Sequence, residues 1–297
     1  MKVPVSIVLA IAVIAVSTSA PLIRGAQSFV PEAGLAFSLF IAAARMTCAS
    51  LIMVGPAWVS RRGVTRKALL YTVLAGLFLG LHFGLWIGSL AFTSVAASVT
   101  LVTTNPLWVA LIGTFLFGDR LSRRVWIGIL VAVSGSVIIG LSDMGEAGTL
   151  PLLGDAMALL GAVTVSCTLI LGKKAQALGA PTLFYIGVSN IVAALVLLPI
   201  AAVFGVEVAQ VPTPVWFFVL AMALIPQMIG HGAIAWSLTK VSASLVALVV
   251  LFEPFVAGLL AWAIFDEVPG IMVLVGAVVV LSGVFVVLTD RTEEPRQ

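Results

Sequence analysis

Charge is scarce in this sequence. Only 9% of its 297 residues are Asp, Glu, Lys or Arg, where soluble domains carry about 25%. With 62% hydrophobic residues and a mean hydropathy of +1.25, so few charges cannot solvate a particle of this size, and a water-soluble domain is excluded. Cysteine is nearly absent too. Cys48 and Cys167 both fall inside apolar runs, which excludes a disulfide framework. Two histidines, His82 and His231, make a weak metal site, so neither a metal nor a cofactor is expected. No Gly-x4-Gly-Lys loop is present, so the chain does not hydrolyse ATP. No His-Glu-x-x-His or Gly-x-Ser-x-Gly pattern supplies a catalytic centre. An intramembrane enzyme using His82 or His231 as a base stays a distant alternative, with no nucleophile beside either. The net charge of +3 does not mark a nucleic-acid binder, because the basic residues form short clusters between apolar runs.

What the sequence has is long apolar runs. They fall near 5–23, 34–58, 68–91, 94–117, 125–141, 154–172, 182–203, 214–237, 242–265 and 270–289. A helix needs about 20 apolar residues to cross the hydrocarbon of a bilayer, and the alternating segments of a barrel are missing. The reading is therefore an all-α integral membrane protein of ten transmembrane helices. The first run is taken as an uncleaved helix rather than a signal peptide, since Pro21 would follow the supposed cleavage site. With the N-terminus inside, 13 of 15 basic residues fall on the cytoplasmic side. These are Lys2, Arg61, Arg62, Arg66, Lys67, Arg120, Arg123, Arg124, Lys173, Lys174, Lys240, Arg291 and Arg296. Arg24 lies outside and Arg45 within a span. Glu32, Asp143, Glu146, Glu207, Asp266 and Glu267 occupy the opposite loops. That asymmetry places both termini in the cytoplasm, and a bacterial inner membrane is the expected location.

The chain reads as two copies of one pattern offset by 148 residues. Asn105-Pro106-Leu107 pairs with Glu253-Pro254-Phe255, Phe117-Gly118-Asp119 with Phe265-Asp266-Glu267, and Ser134-Gly135 with Ser282-Gly283. Leu90, Ser94 and Gly128 match Leu238, Ser242 and Gly276. Residues 1–148 and 149–297 are the two repeats. Each holds five helices, an odd number, so the second enters the membrane inverted. Inverted repeats characterise secondary transporters that open a central site alternately to either side; a scaffold or channel is the other reading.

On the stretches Leu81-His82-Phe83-Gly84-Leu85-Trp86, Asn105-Pro106-Leu107, Phe117-Gly118-Asp119-Arg120-Leu121 and Leu251-Phe252-Glu253-Pro254, the chain resembles the drug/metabolite transporter superfamily. The likeness is to the ten-helix EamA type over essentially the whole length, and within it to YddG-type exporters of aromatic and other amino acids. One departure is Asp119, where the family commonly has Glu.

Gly76, Gly80, Gly84 and Gly88 form a seam for close helix packing. Phe78, His82 and Trp86 sit about 200° around the same helix and are expected to line a wettable cavity, the alternative for His82 being a bond to another helix. Gln227 and His231 share a face beside Pro226 and Gly230, as a second cavity wall or an internally satisfied kink. Pro106 and Pro254 are candidate hinges that free the carbonyls of Val102 and Val250; plain kinks are the other reading. Asp155 is placed at the outer end of its span. Mid-span charges cost about 2.5–3.5 kcal/mol or more unless paired or hydrated. Glu253 reads either as a proton site or as a paired structural charge. For Arg45, pairing with polar neighbours is favoured over a carboxylate anchor.

The expected function is export of small amphipathic metabolites, foremost aromatic or apolar amino acids, with protons as a candidate coupling ion. Phe78, His82, Trp86 and Trp108 would supply ring surfaces. Ser17, Thr103, Asn105, Asn190 and Gln227 would hydrogen-bond the amino and carboxylate ends, with His231 and Glu253 beside them. Efflux of organic cations held by the same rings is the alternative. Phosphate-bearing substrates are disfavoured, with one embedded arginine to neutralise them.

Overall fold

Backbone amides in hydrocarbon must be satisfied within their own segment, and the apolar runs accordingly form helices. The computed structural model describes residues 4–30, 34–93, 95–117, 121–141, 150–265 and 271–288. Among these residues there is no strand. The sequence assignments at Lys2, Glu32, Ser94, Gly118, Asp119, Arg120, Asp143, Glu146, Asp266, Glu267, Arg291 and Arg296 lie outside the described residues.

The order is α1 Val5–Ser17, α2 Ser19–Gln27, α3 Gly34–Val59, α4 Arg66–Ser89, α5 Val95–Val102, α6 Asn105–Phe117 and α7 Arg123–Leu141. Then come α8 Pro151–Ala177, α9 Thr182–Val203, a short 3-10 turn at Val208–Gln210 and α10 Thr213–Met222. A widened π-helical stretch, Ala223–His231, leads into α11 Gly232–Ser237, followed by α12 Ala243–Val250, α13 Glu253–Phe265 and α14 Ile271–Leu288. Among the described residues, six helices are long and apolar enough to cross a membrane: Val5–Gln27, Gly34–Val59, Arg66–Ser89, Leu152–Ala177, Thr182–Val203 and Thr213–Ser237. Shorter apolar helices accompany them. Leu152 and Val203 are each 84% exposed, as side chains facing lipid would be.

Besides the one-residue break at Thr18 between α1 and α2, two of the expected runs are interrupted by two residues each. The fourth stops at Val102 and restarts at Asn105; the ninth stops at Val250 and restarts at Glu253. In both, the proline is the second residue of the new helix. A proline there forfeits an N–H that has no intrahelical partner anyway. Pro106 and Pro254 thus begin helices rather than kink them midway.

The glycine seam of α4 packs on α9. A Cβ at Gly76 would stand 2.7 Å from the carbonyl oxygen of Ser189, and one at Gly80 would stand 3.0 Å from Cα of Ala193. At Gly84 the neighbour is Cδ2 of Leu197, 3.2 Å away. Gly88 instead faces Met157 and Leu35. Four residues turn a helix through about 400°, so each step rotates the seam about 40° and its last member leaves α9.

α7 and α14 meet in a reciprocal contact. A Cβ at Gly135 would lie 2.6 Å from the carbonyl oxygen of Gly276 and 2.6 Å from the nitrogen of Val280. A Cβ at Gly283 would lie 2.5 Å from the carbonyl oxygen of Gly128 and 2.5 Å from the nitrogen of Ala132. Gly135 and Gly283, Gly128 and Gly276, and Ala132 and Val280 are equivalent at the 148-residue offset. Residue i therefore meets the partner of j while j meets the partner of i, the signature of a twofold contact. Elsewhere α4 lies along α8, α3 along α9, and α1 along the π-helical stretch.

Candidate functional site

Helix breaks in the middle of a bundle bring backbone ends and polar side chains to one depth. A cavity of about 50 Å³ lies beside both breaks. Val102 and Asn105 line it from the first break, Val250 and Glu253 from the second. Val102 and Val250 are equivalent at the repeat offset, as are Asn105 and Glu253. Trp86 and its counterpart Ile234 line the same space. The two repeats thus present matching positions to one cavity, whose volume has room for a few waters.

α4 aims two rings into it. His82 and Trp86, one turn apart, stack with centroids 5.9 Å apart and planes 10° from parallel. His82 Nδ1 is 3.0 Å from the carbonyl oxygen of Gly161 on α8, so one hydrogen bond holds the imidazole at the cavity wall. Trp86 is buried, and its indole N–H has no partner. Asn105 Oδ1 is likewise buried and unpaired, while its backbone oxygen accepts from the Ser166 hydroxyl at 3.0 Å. Thr103 and Ser19 complete the polar lining, and His231 enters from the end of the π-helical stretch.

Arg45 stands behind this wall, fully buried. Its Nη2 donates to Gln227 Oε1 at 2.9 Å, and Gln227 Nε2 donates to Asn190 Oδ1 at 3.0 Å. Nη1 reaches Ser19 Oγ at 3.4 Å, and the guanidinium carbon lies 4.3 Å from the Phe83 ring centroid. Phe83 in turn meets His231 edge to face at 5.5 Å. Glu253, His82 and His231 all lie within electrostatic reach of Arg45. A second cavity of about 30 Å³, lined by Asn190, Gln227, Ser189 and Tyr185, shares Val165, Leu169, His231 and Ile234 with the first.

Of the residues singled out from sequence, His82, Trp86, Thr103, Asn105, His231 and Glu253 line the first cavity, and Asn190 and Gln227 the second. Ser17 lines neither. Its hydroxyl lies 2.7 Å from the carbonyl oxygen of Val13 and 3.2 Å from that of Glu253, tying α1 to the start of α13. Phe78 is half-buried and outside both cavities; one step back along α4 rotates it away from His82. Trp108 is half-buried, and its indole nitrogen donates to Thr104 Oγ1 at 3.3 Å instead of facing the cavity. Asp155 accepts from the Thr93 hydroxyl at 2.8 Å. Sequence reasoning missed Ser19 and Phe83. Ser19 sits just past the junction between α1 and α2, which no motif announces, and Phe83 was hidden by its apolar neighbours. The signal for Phe83 was Arg45 itself, since an embedded guanidinium needs a face to lie on.

The described residues hold no group of three or more His, Cys, Asp or Glu arranged to bind a metal ion. Comparison with known proteins fits this geometry. The chain matches the EamA-like transporter family twice, over residues 4–141 and 152–289. It is 24% identical over 264 residues to the uncharacterized transporter YyaM of Bacillus subtilis (strain 168), spanning 86% of this chain and 84% of that protein. Over 84 residues it is 33% identical to the probable 4-amino-4-deoxy-L-arabinose-phosphoundecaprenol flippase subunit ArnE of Klebsiella pneumoniae (strain 342), covering 28% of this chain and 75% of that one. A solved crystal structure superposes with a TM-score of 0.77 at 19% identity, over 98% of this chain and 99% of the other, which is a likeness of fold. The chain belongs to the EamA-like transporter family, a multi-pass membrane transporter and not an enzyme.

Proposed function

We propose that the protein is a secondary exporter of small amphipathic metabolites, foremost amino acids with aromatic or apolar side chains. In this reading ten spans form two inverted five-helix repeats, residues 1–148 and 149–297, with both termini in the cytoplasm of a bacterial cell. The observation that carries it is a cavity beside both helix breaks, to which the two repeats contribute equivalent positions. Two similar halves around one site can exchange conformations and so expose it to each side in turn. At about 50 Å³ the cavity must widen to admit an amino acid, and the breaks before Pro106 and Pro254 supply flexible points for that motion.

The stacked His82 and Trp86 offer a face for an aromatic side chain. The unpaired Trp86 N–H and Asn105 Oδ1 are a donor and an acceptor awaiting partners, matched to a carboxylate and an ammonium. Glu253, beside Asn105, is the candidate proton carrier. One observation favours a second reading: a carboxylate and two stacked rings in one cavity also suit an organic cation.

Uptake into proteoliposomes tests this, with a panel of amino acids and quaternary ammonium dyes, with and without a pH gradient. We expect aromatic amino acids to be moved and the gradient to accelerate wild type but not Glu253→Gln. Transport of the dyes alone would replace the amino-acid reading with the cation one.

A further inference from the structure

Away from the central cavities, a groove of about 580 Å³ opens on the flank of the bundle, where the α3–α4 turn meets α9. Its rim holds three arginines, Arg61, Arg62 and Arg66, all exposed, and none of its lining residues is a carboxylate. Gly63, at φ +79°, allows the tight turn that folds Arg66 back toward Arg61 and Arg62. The wall below is apolar, with Val54 and Leu69 exposed and Val188 and Ile191 half-buried. Trp58, 65% exposed, stands at the junction between rim and wall, as tryptophans do at the edge of a bilayer.

Arg61 is held in place before any ligand arrives. Its Nη1 donates to the carbonyl oxygen of Trp58 at 2.6 Å, and its guanidinium lies 3.4 Å from the Trp58 ring centroid. A guanidinium already ordered loses less freedom on binding an oxyanion. Orientation rules alone place basic residues at this end of the molecule. They do not require three of them to converge over one apolar groove.

We propose that this groove binds an anionic phospholipid, its phosphate among Arg61, Arg62 and Arg66 and one acyl chain along the α3–α4–α9 wall. Arginine forks match phosphate oxygens, and basic pockets between membrane helices take acidic headgroups. The greasy wall selects a lipid over a free phosphate, which would leave it empty. The inference needs only that the chain is a membrane protein, and does not rest on the substrate proposed above.

Native mass spectrometry of the purified full chain, titrated with phosphatidylglycerol or phosphatidylethanolamine, tests it. Wild type should retain phosphatidylglycerol preferentially. Arg61→Gln/Arg62→Gln/Arg66→Gln should lower that retention at least about tenfold, while Arg123→Gln/Arg124→Gln should leave it unchanged. Val188→Trp fills the apolar wall with the charges intact and should also lower retention; it decides the matter should the triple variant fail to fold. Equal retention of the two lipids by wild type would overturn the proposal. So would equal losses in the two arginine variants, full retention by Val188→Trp, or displacement of the lipid by millimolar inorganic phosphate.

Discussion

Gln227 is the residue on which the buried charge depends. It accepts from Arg45 and donates to Asn190, so Gln227→Leu takes the Nη2 partner from a buried cation that keeps Ser19 and the Phe83 face, and strands the Asn190 amide oxygen as well. At about 1–3 kcal/mol for each orphaned group, that variant should unfold at a clearly lower temperature in detergent than Asn190→Leu, which strands only the Gln227 amide. Equal midpoints would show that the chain Arg45–Gln227–Asn190 is not what keeps the guanidinium hydrogen-bonded within the span. Much of this was legible from residue type alone. A histidine, a glutamine or an arginine inside an apolar run must find polar company, and His82, Gln227 and Arg45 do; His231 instead meets the edge of Phe83. Orientation was less legible: Phe78 and Trp108 share the chemistry of His82 and Trp86, yet helix rotation turns them from the cavity. Spacing fixes a face to within about 40° per step of four, which is too coarse to decide a residue at the cavity's edge.

Helix-to-helix distance in lipid is set by small residues, and α4 grades them. Gly76 abuts the backbone of Ser189, whereas Gly84 faces the tip of Leu197. Gly76→Ala should therefore cost about 1–3 kcal/mol and lower the yield of folded protein, while Gly84→Ala is accommodated by a rotamer shift of Leu197. Thermal midpoints and monodisperse yield of the two variants measure this; a more harmful Gly84→Ala would contradict the packing. The seam itself could be read from its four-residue period. The helix breaks could not be placed so well. Both prolines pointed to a disturbance, but a proline serves equally as an interior kink or as a helix start. What separates the two is how Thr103-Thr104 and Leu251-Phe252 turn, a matter of tertiary packing.

The whole molecule rests on a twofold relation between halves. Its most local expression is the α7–α14 contact, where Gly135 and Gly283 each touch the other helix's backbone at equivalent places. Gly135→Ala and Gly283→Ala should destabilise the protein by similar amounts, read as similar falls in unfolding temperature. A large effect from only one would mean the contact is not symmetric in energy. The repeat was visible in sequence because Gly, Pro and acidic residues recur in one register, and apolar matches alone would not have revealed it. Which molecule the cavity takes was not legible, since selectivity depends on the shape of a space that no spacing describes.

In the proposed function, substrate occupies the cavity beside His82 and Trp86. Counterflow of labelled tryptophan in proteoliposomes, comparing wild type with Trp86→Ala, tests it most directly. Losing one ring contact worth about 0.5–1.5 kcal/mol should weaken half-saturation roughly two- to tenfold, measured on the monodisperse, folded fraction because the buried indole also supports packing. Unaltered half-saturation and rate in the Trp86→Ala protein would place the substrate elsewhere.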